Sequence, residues 1–220
     1  VQNQIKKNLW NEKYQSTKRN TNHRLSIMKL PDSFEGQTVL DIGCNQGHFC
    51  IEAVKRGAKR VVGIDISHDI INNNKIDLDQ LGPLNQKSIE YYVADIYEGL
   101  ESVQNIIGKD YFDNIFLLST IPLSNIINND DVRLSRMQNL EQTYCRNSRM
   151  CWFENFFEEN QSTPHNVSGG QHSKKRWYSN TVSARWFNDL GYEYCKFLGV
   201  TTDFGERNNF LLANKKDKNN

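Results

Sequence analysis

Val39-Leu40-Asp41-Ile42-Gly43-Cys44-Asn45-Gln46-Gly47-His48-Phe49 is the stretch that decides the fold. The run Thr38-Val39-Leu40-Asp41-Ile42 is short, apolar and ends at a glycine, as a buried parallel strand does. Gly43 and Gly47 bracket a tight turn. Glycine tolerates positive φ there and lets a ligand approach the backbone closely. From His48 to Arg56, Phe49, Ala53 and Val54 fall at helical spacing, and Gly57 can end that helix. Arg60-Val61-Val62-Gly63-Ile64-Asp65 is a second strand. Strand, turn, helix and strand form one unit whose crossover is right-handed by default.

The alternation continues outward. Asp69 to Leu81 reads as a helix, Ile89-Glu90-Tyr91-Tyr92-Val93 as a third strand closed by Ala94-Asp95, and Leu100 to Ile107 as a helix. Phe112 to Leu118 is a fourth strand, Val132 to Tyr144 a helix, and Arg149 to Glu154 a fifth strand. Residues 156–176 are polar and irregular and read as a long loop or lid, a place where function often sits. Asn180 to Leu190 is a helix stopped by Gly191, and Tyr192 to Leu198 and Asn209 to Ala213 read as closing strands. Such alternation predicts an α/β domain on a mostly parallel, doubly wound sheet. We expect a basic helical arm over 1–30, the domain over 31–215 and a polar tail over 216–220.

Composition narrows the class. The chain has 220 residues, enough for one domain with a small appendage. It is 37% hydrophobic and 24% charged, with a mean hydropathy of -0.71. No apolar run reaches the ~20 residues of a membrane-spanning helix, and no apolar stretch follows the basic start as in a signal peptide. The first residue is Val rather than Met, so the start of the chain is expected to lie upstream. Five cysteines without a C-x-x-C argue against a disulfide framework or a zinc ribbon and suit a reducing cytoplasm. No metal site is expected. The net charge of +1 hides an asymmetry: residues 1–29 carry seven Lys/Arg against one Glu, and residues 65–131 carry three Lys against twelve acids. The basic arm is either a solvated helix or a contact for RNA or another anion.

Ligands on such sheets bind at the carboxyl ends of the strands. Three acids gather there. Asp41 precedes the turn. Asp65 ends the second strand, 22 positions after Gly43, where a carboxylate can accept from both ribose hydroxyls. Asp95 ends the third strand, where it can accept from an exocyclic amine such as that of adenine. The turn lacks the second close-approach glycine of G-x-G-x-x-G, and it lacks the P-loop lysine. Asp41 is unwelcome to a phosphate and suited to a cationic amine. A nucleoside without phosphates therefore fits better than a dinucleotide.

Val39 to Phe49 resembles the first motif of the class I S-adenosylmethionine-dependent methyltransferases. Val62-Gly63-Ile64-Asp65-Ile66-Ser67 resembles their second motif, Ala94-Asp95-Ile96 their third, and Phe112 to Leu118 their fourth strand. The similarity covers roughly residues 36–120. It implies a Rossmann-like seven-stranded sheet with an antiparallel last strand, S-adenosylmethionine as cofactor and S-adenosylhomocysteine as product. It places Asp41 and Gly43 at the methionine part, Asp65 at the ribose, and Asp95 with Ile96 at the adenine. The candidate cofactor-binding residues are Asp41, Gly43, Cys44, Asn45, Gly47, Asp65, Ile66, Asp95, Ile96 and Ser119. Locally, Leu30-Pro31-Asp32, Gly36 and the string from Asp41 to Ala58 are similar to the wobble-uridine tRNA methyltransferase group, and small-molecule enzymes share that string.

The acceptor side is less legible. Ser119-Thr120-Ile121-Pro122 stands where many amino methyltransferases carry [DN]-P-P-[YFW], which disfavours adenine or glutamine N-methylation. Ser119, Glu154 and His165 are the candidate catalytic residues; Thr120, His172 and Trp177 are further substrate-side candidates. Each also has a plain structural reading, as a turn, strand-end or solvated loop residue. Trp152, Phe153, Phe156 and Phe157 read first as packing. Cys44 reads as a packing residue rather than a nucleophile. A small-molecule acceptor is the leading expectation, RNA held by the basic arm the alternative, and a non-catalytic cofactor-fold binding protein the third.

Overall fold

The computed structural model describes residues 20–81, 88–95, 100–108, 111–118, 148–156, 192–201 and 207–213. Helix α1 (Thr21–Met28) leads into β1 (Thr38–Ile42), α2 (His48–Lys55), β2 (Arg60–Asp65), α3 (His68–Leu81) and β3 (Ile89–Val93). Then come α4 (Leu100–Ile107), β4 (Asn114–Leu118), β5 (Met150–Phe156), β6 (Tyr194–Thr201) and β7 (Arg207–Ala213). The expected helices at 132–144 and 180–190, the loop at 156–176 and the tail lie wholly or largely outside the described residues.

The seven strands among the described residues form one sheet, in the order β3-β2-β1-β4-β5-β7-β6. The first five are parallel, and β7 runs antiparallel to both β5 and β6. This is the expected Rossmann-like architecture. Strand order reverses between β1 and β4, so their carboxyl ends open the crevice in which such sheets bind ligands.

Alternation along each strand divides the core between the two faces of the sheet. Leu40, Ile42, Val62 and Ile64 pack with Val103 and Ile107 of α4. Val39, Val61, Phe116 and Trp152 pack on the other face with Met28 of α1, Phe49 and Ile51 of α2, and Ile71 of α3. Edge-to-face contacts knit this second face, with Phe116 and Trp152 centroids 5.5 Å apart and Phe34 6.2 Å from each.

Helix α1 belongs to this packing. Asn20 caps its start, its side chain accepting from the His23 amide at 3.0 Å. Lys29 ends it in the left-handed conformation. The indole N–H of Trp152 donates to the Met28 carbonyl at 3.1 Å. Residues 21–30, read from sequence as part of a basic arm, thus place Met28 and Leu30 in the core. Residues 1–19 lie outside the described residues. Among the described residues no helix is long and apolar enough to cross a membrane.

Candidate active site

The turn after β1 is built on β2. The amides of Gly43 and Cys44 both donate to the Ile64 carbonyl at 2.8 Å, and the Gly47 amide donates to the Cys44 carbonyl at 2.9 Å. Gly43, Asn45 and Gly47 all have positive φ, of 76°, 47° and 71°. A β-carbon is strained in that region, although asparagine tolerates it better than most residues. Gly47 is also the N-cap of α2.

Asp65 ties the turn to the neighbouring strand. One carboxylate oxygen accepts from the Asn45 amide at 2.9 Å and the other from the Ser67 amide at 3.0 Å. Each oxygen has a further lone pair. The Asp65 carbonyl accepts from the Ala94 amide at 3.0 Å, which brings Asp95, two residues past the end of β3, alongside. Asn74 of α3 braces the arrangement from behind by donating to the Asn45 carbonyl at 2.6 Å. Ile66 is 58% exposed, an uncovered apolar side chain at the lip of the turn.

Asp41 lies beneath, 2% exposed, where it accepts from the Cys50 thiol at 3.4 Å. Burial pushes its carboxyl up to about 7, against the pull of the Cys50 hydrogen bond and the Arg24 charge, with a smaller upward push from Asp65. The Cys44 thiol is held above the usual range: the hydrogen bond with Cys50 pulls it down, but burial and the nearby Asp41 and Asp65 outweigh that pull. Such a thiol is a poor nucleophile.

The fifth strand carries the other conspicuous acid. Glu154 is 1% exposed and forms a two-pronged ion pair with Arg24 of α1, Nε to Oε1 at 3.2 Å and Nη2 to Oε2 at 2.6 Å. The Thr201 hydroxyl donates to Oε1 at 2.9 Å. The Arg24 guanidinium lies 4.6 Å from the centre of the Phe49 ring in the first turn of α2. Helix α1 is thereby pinned to β5, to the end of β6 and to the start of α2.

The structure thus brings together Asp41, Gly43, Cys44, Asn45, Gly47 and Asp65, with Ile66 and Asp95 beside them. Ile96, Ser119, Thr120, Phe157, His165, His172 and Trp177 lie outside the described residues. Arg24, Asn74 and Thr201 join the site without having been singled out in the sequence. Asn74 ends the run Asn72-Asn73-Asn74, in which it is buried and the other two are exposed.

A methyltransferase-domain family matches residues 33–185. The chain belongs to that family. A ribosomal protein L11 methyltransferase of Agathobacter rectalis is 32% identical over 105 residues, covering 46% of this chain and 32% of the relative. The methyltransferase domain of the bacterial protein CtHen1-C has a TM-score of 0.58 at 14% identity, covering 90% of this chain and 97% of that one. A magnesium protoporphyrin IX methyltransferase of Synechocystis PCC 6803, crystallised with bound S-adenosylhomocysteine, has a TM-score of 0.53 at 15% identity, covering 82% and 75%. The structural likenesses speak for the fold. This methyltransferase-domain chain spans about a third or less of the length of the curated relatives it matches.

Proposed function

We propose that this chain binds S-adenosylmethionine at the β1 turn and transfers its methyl group to a small-molecule acceptor. The observation that carries the reading is Asp65. Two backbone amides, from Asn45 and Ser67, orient its carboxylate at the strand end, so it stands ready to accept from vicinal hydroxyls. The surrounding chemistry fits this cofactor. Three acids at the strand ends suit an ammonium and a ribose and repel phosphates. The positive-φ turn lets a ligand lie against the backbone. Exposed Ile66 offers an apolar seat for a flat base.

In this reading Asp41 and Gly43 face the methionine part, with Cys44, Asn45 and Gly47 forming the wall of the turn. Asp65 holds the ribose, and Asp95, Ile66 and Ile96 hold the adenine. When bound, the cofactor supplies an activated sulfonium methyl group. The chain's task is alignment, because in-line geometry supplies much of the rate of such a displacement. Glu154 acts through Arg24, holding α1 over the strand ends. Ser119 and His165 stand as candidates to orient the acceptor or take its proton.

The basic segment 1–29 supports a second reading, an RNA acceptor. The experiment supplies methyl-labelled cofactor with a panel of small hydroxyl, amine and carboxylate compounds or with a pool of tRNA. Label moving to the small-molecule panel supports the first reading. Label moving to tRNA, with affinity falling steeply with salt and on neutralising Lys6, Lys7, Lys18 and Arg19, supports the second. Cofactor binding without transfer to any acceptor supports a binding protein.

A further inference from the structure

Tyr91 sits in the middle of β3, one strand away from β2 and two from β1, yet it reaches the glycine turn. It pairs in register with Gly63 of β2. A β-carbon at Gly63 would lie 2.7 Å from Cδ1 and Cε1 of the Tyr91 ring and 2.9 Å from the Cys50 sulfur. Gly63 does not have positive φ, so the backbone does not demand glycine there. The ring does: it lies in the notch that the missing side chain leaves. Its far end comes up under Gly47, where a β-carbon would overlap the Tyr91 hydroxyl. One ring thus fills the space beside two glycines on two different elements.

The side chain is 4% exposed, and its hydroxyl is hydrogen-bonded with Cys50, whose thiol donates in turn to Asp41. Burial, reinforced by Cys50, Cys44 and Asp41, pushes the phenol far above its usual range, so it acts by shape and as a hydrogen-bond donor. We propose that Tyr91 is a positioning residue for the cofactor, a strut seated in the Gly63 notch that sets the height of the Gly43–Gly47 turn relative to Asp65. The inference rests on the cofactor reading above.

The test uses the whole chain and S-adenosylhomocysteine as the probe, with amide exchange followed at Asn45 to Gly47 and, as a reference, in β4. Tyr91→Leu fills the notch but stops short of Gly47. It is expected to weaken binding by about tenfold or more, as misplaced supporting groups do, and to speed exchange in the turn while β4 stays protected. Tyr91→Phe keeps the ring and restores affinity to within about threefold of the parent. Gly63→Ala displaces the ring and costs about tenfold in the parent, but less than about threefold when added to Tyr91→Leu, because coupled sites are not additive. Parent-like affinity and turn exchange in Tyr91→Leu, or an equal cost of Gly63→Ala in both backgrounds, overturns the strut. If Tyr91→Leu does not fold, Tyr91→Met and Gly63→Ala carry the same comparison. A parent chain that does not bind the probe overturns the cofactor reading instead, and turn exchange alone then decides whether Tyr91 holds the loop.

Discussion

Asp41 is a carboxyl group inside the core, 2% exposed, with the Cys50 thiol 3.4 Å away and the Arg24 charge acting on it. Its pKa in the folded chain, about 7, lies above the ordinary value of about 4. The folded chain therefore holds a proton that the unfolded chain releases between those two values. The stability tied to that proton is full below about pH 4 and is lost as pH rises through 7. Asp41→Asn should melt above the parent at pH 8 and show no such gain at pH 4. A ligand ammonium beside Asp41 favours its charged form, so binding of S-adenosylhomocysteine near pH 7 should release protons. Calorimetry in two buffers of different ionisation enthalpy reads that release directly.

At the scale of the element, α1 is held by two devices, the Trp152 hydrogen bond to the Met28 carbonyl and the Arg24–Glu154 ion pair. Removing one partner of a buried pair leaves the other charge uncompensated, at a cost of about 3–5 kcal/mol, whereas replacing both by apolar groups is often neutral. Arg24→Met or Glu154→Met alone should lower unfolding stability in urea by that amount, and the double variant should recover most of it. The ion pair could not be read from the sequence, because its partners are 130 residues apart and α1 lacks a clear apolar stripe. The central strands could be. Thr38–Ile42, Arg60–Asp65 and Ile89–Val93 match their expected bounds, since each is a short strand-forming run bounded by turn residues. Phe112 and Asp113 were expected to open the fourth strand, but β4 begins at Asn114. Asp113 turns back instead, accepting at 2.8 Å from the Thr38 amide. The sixth strand runs later than expected, to Thr201, through a register shift between Phe197 and Gly199 that no alternation pattern announces.

At the scale of the whole molecule, the sheet is one cooperative layer with its helices on both faces. Trp152 is its keystone on the α1 side, 1% exposed and in contact with the Phe34 and Phe116 rings. Trp152→Ala should cost about 3–5 kcal/mol, with far-ultraviolet dichroism and tyrosine fluorescence falling in a single transition. The seven-stranded sheet with an antiparallel last strand was legible through the resemblance of the motifs; the strand order was not read, because periodicity alone does not specify which strands neighbour one another. The acid-lined turn was legible residue by residue, since strand ends and glycines mark it locally. Tyr91 was not, because its role depends on Gly63 and Gly47 meeting in space. Everything proposed for this chain depends on Asp65 and the β1 turn holding S-adenosylmethionine. The most direct test titrates S-adenosylhomocysteine into the chain by calorimetry, beside NAD and beside Asp65→Ala, with melting curves to establish that the variant is folded. We expect micromolar binding to the parent, no binding of NAD, and a loss of at least about tenfold in the folded variant, as expected for removing charge-assisted hydrogen bonds. Equal binding to parent and variant, or NAD binding in place of S-adenosylhomocysteine, would contradict the account.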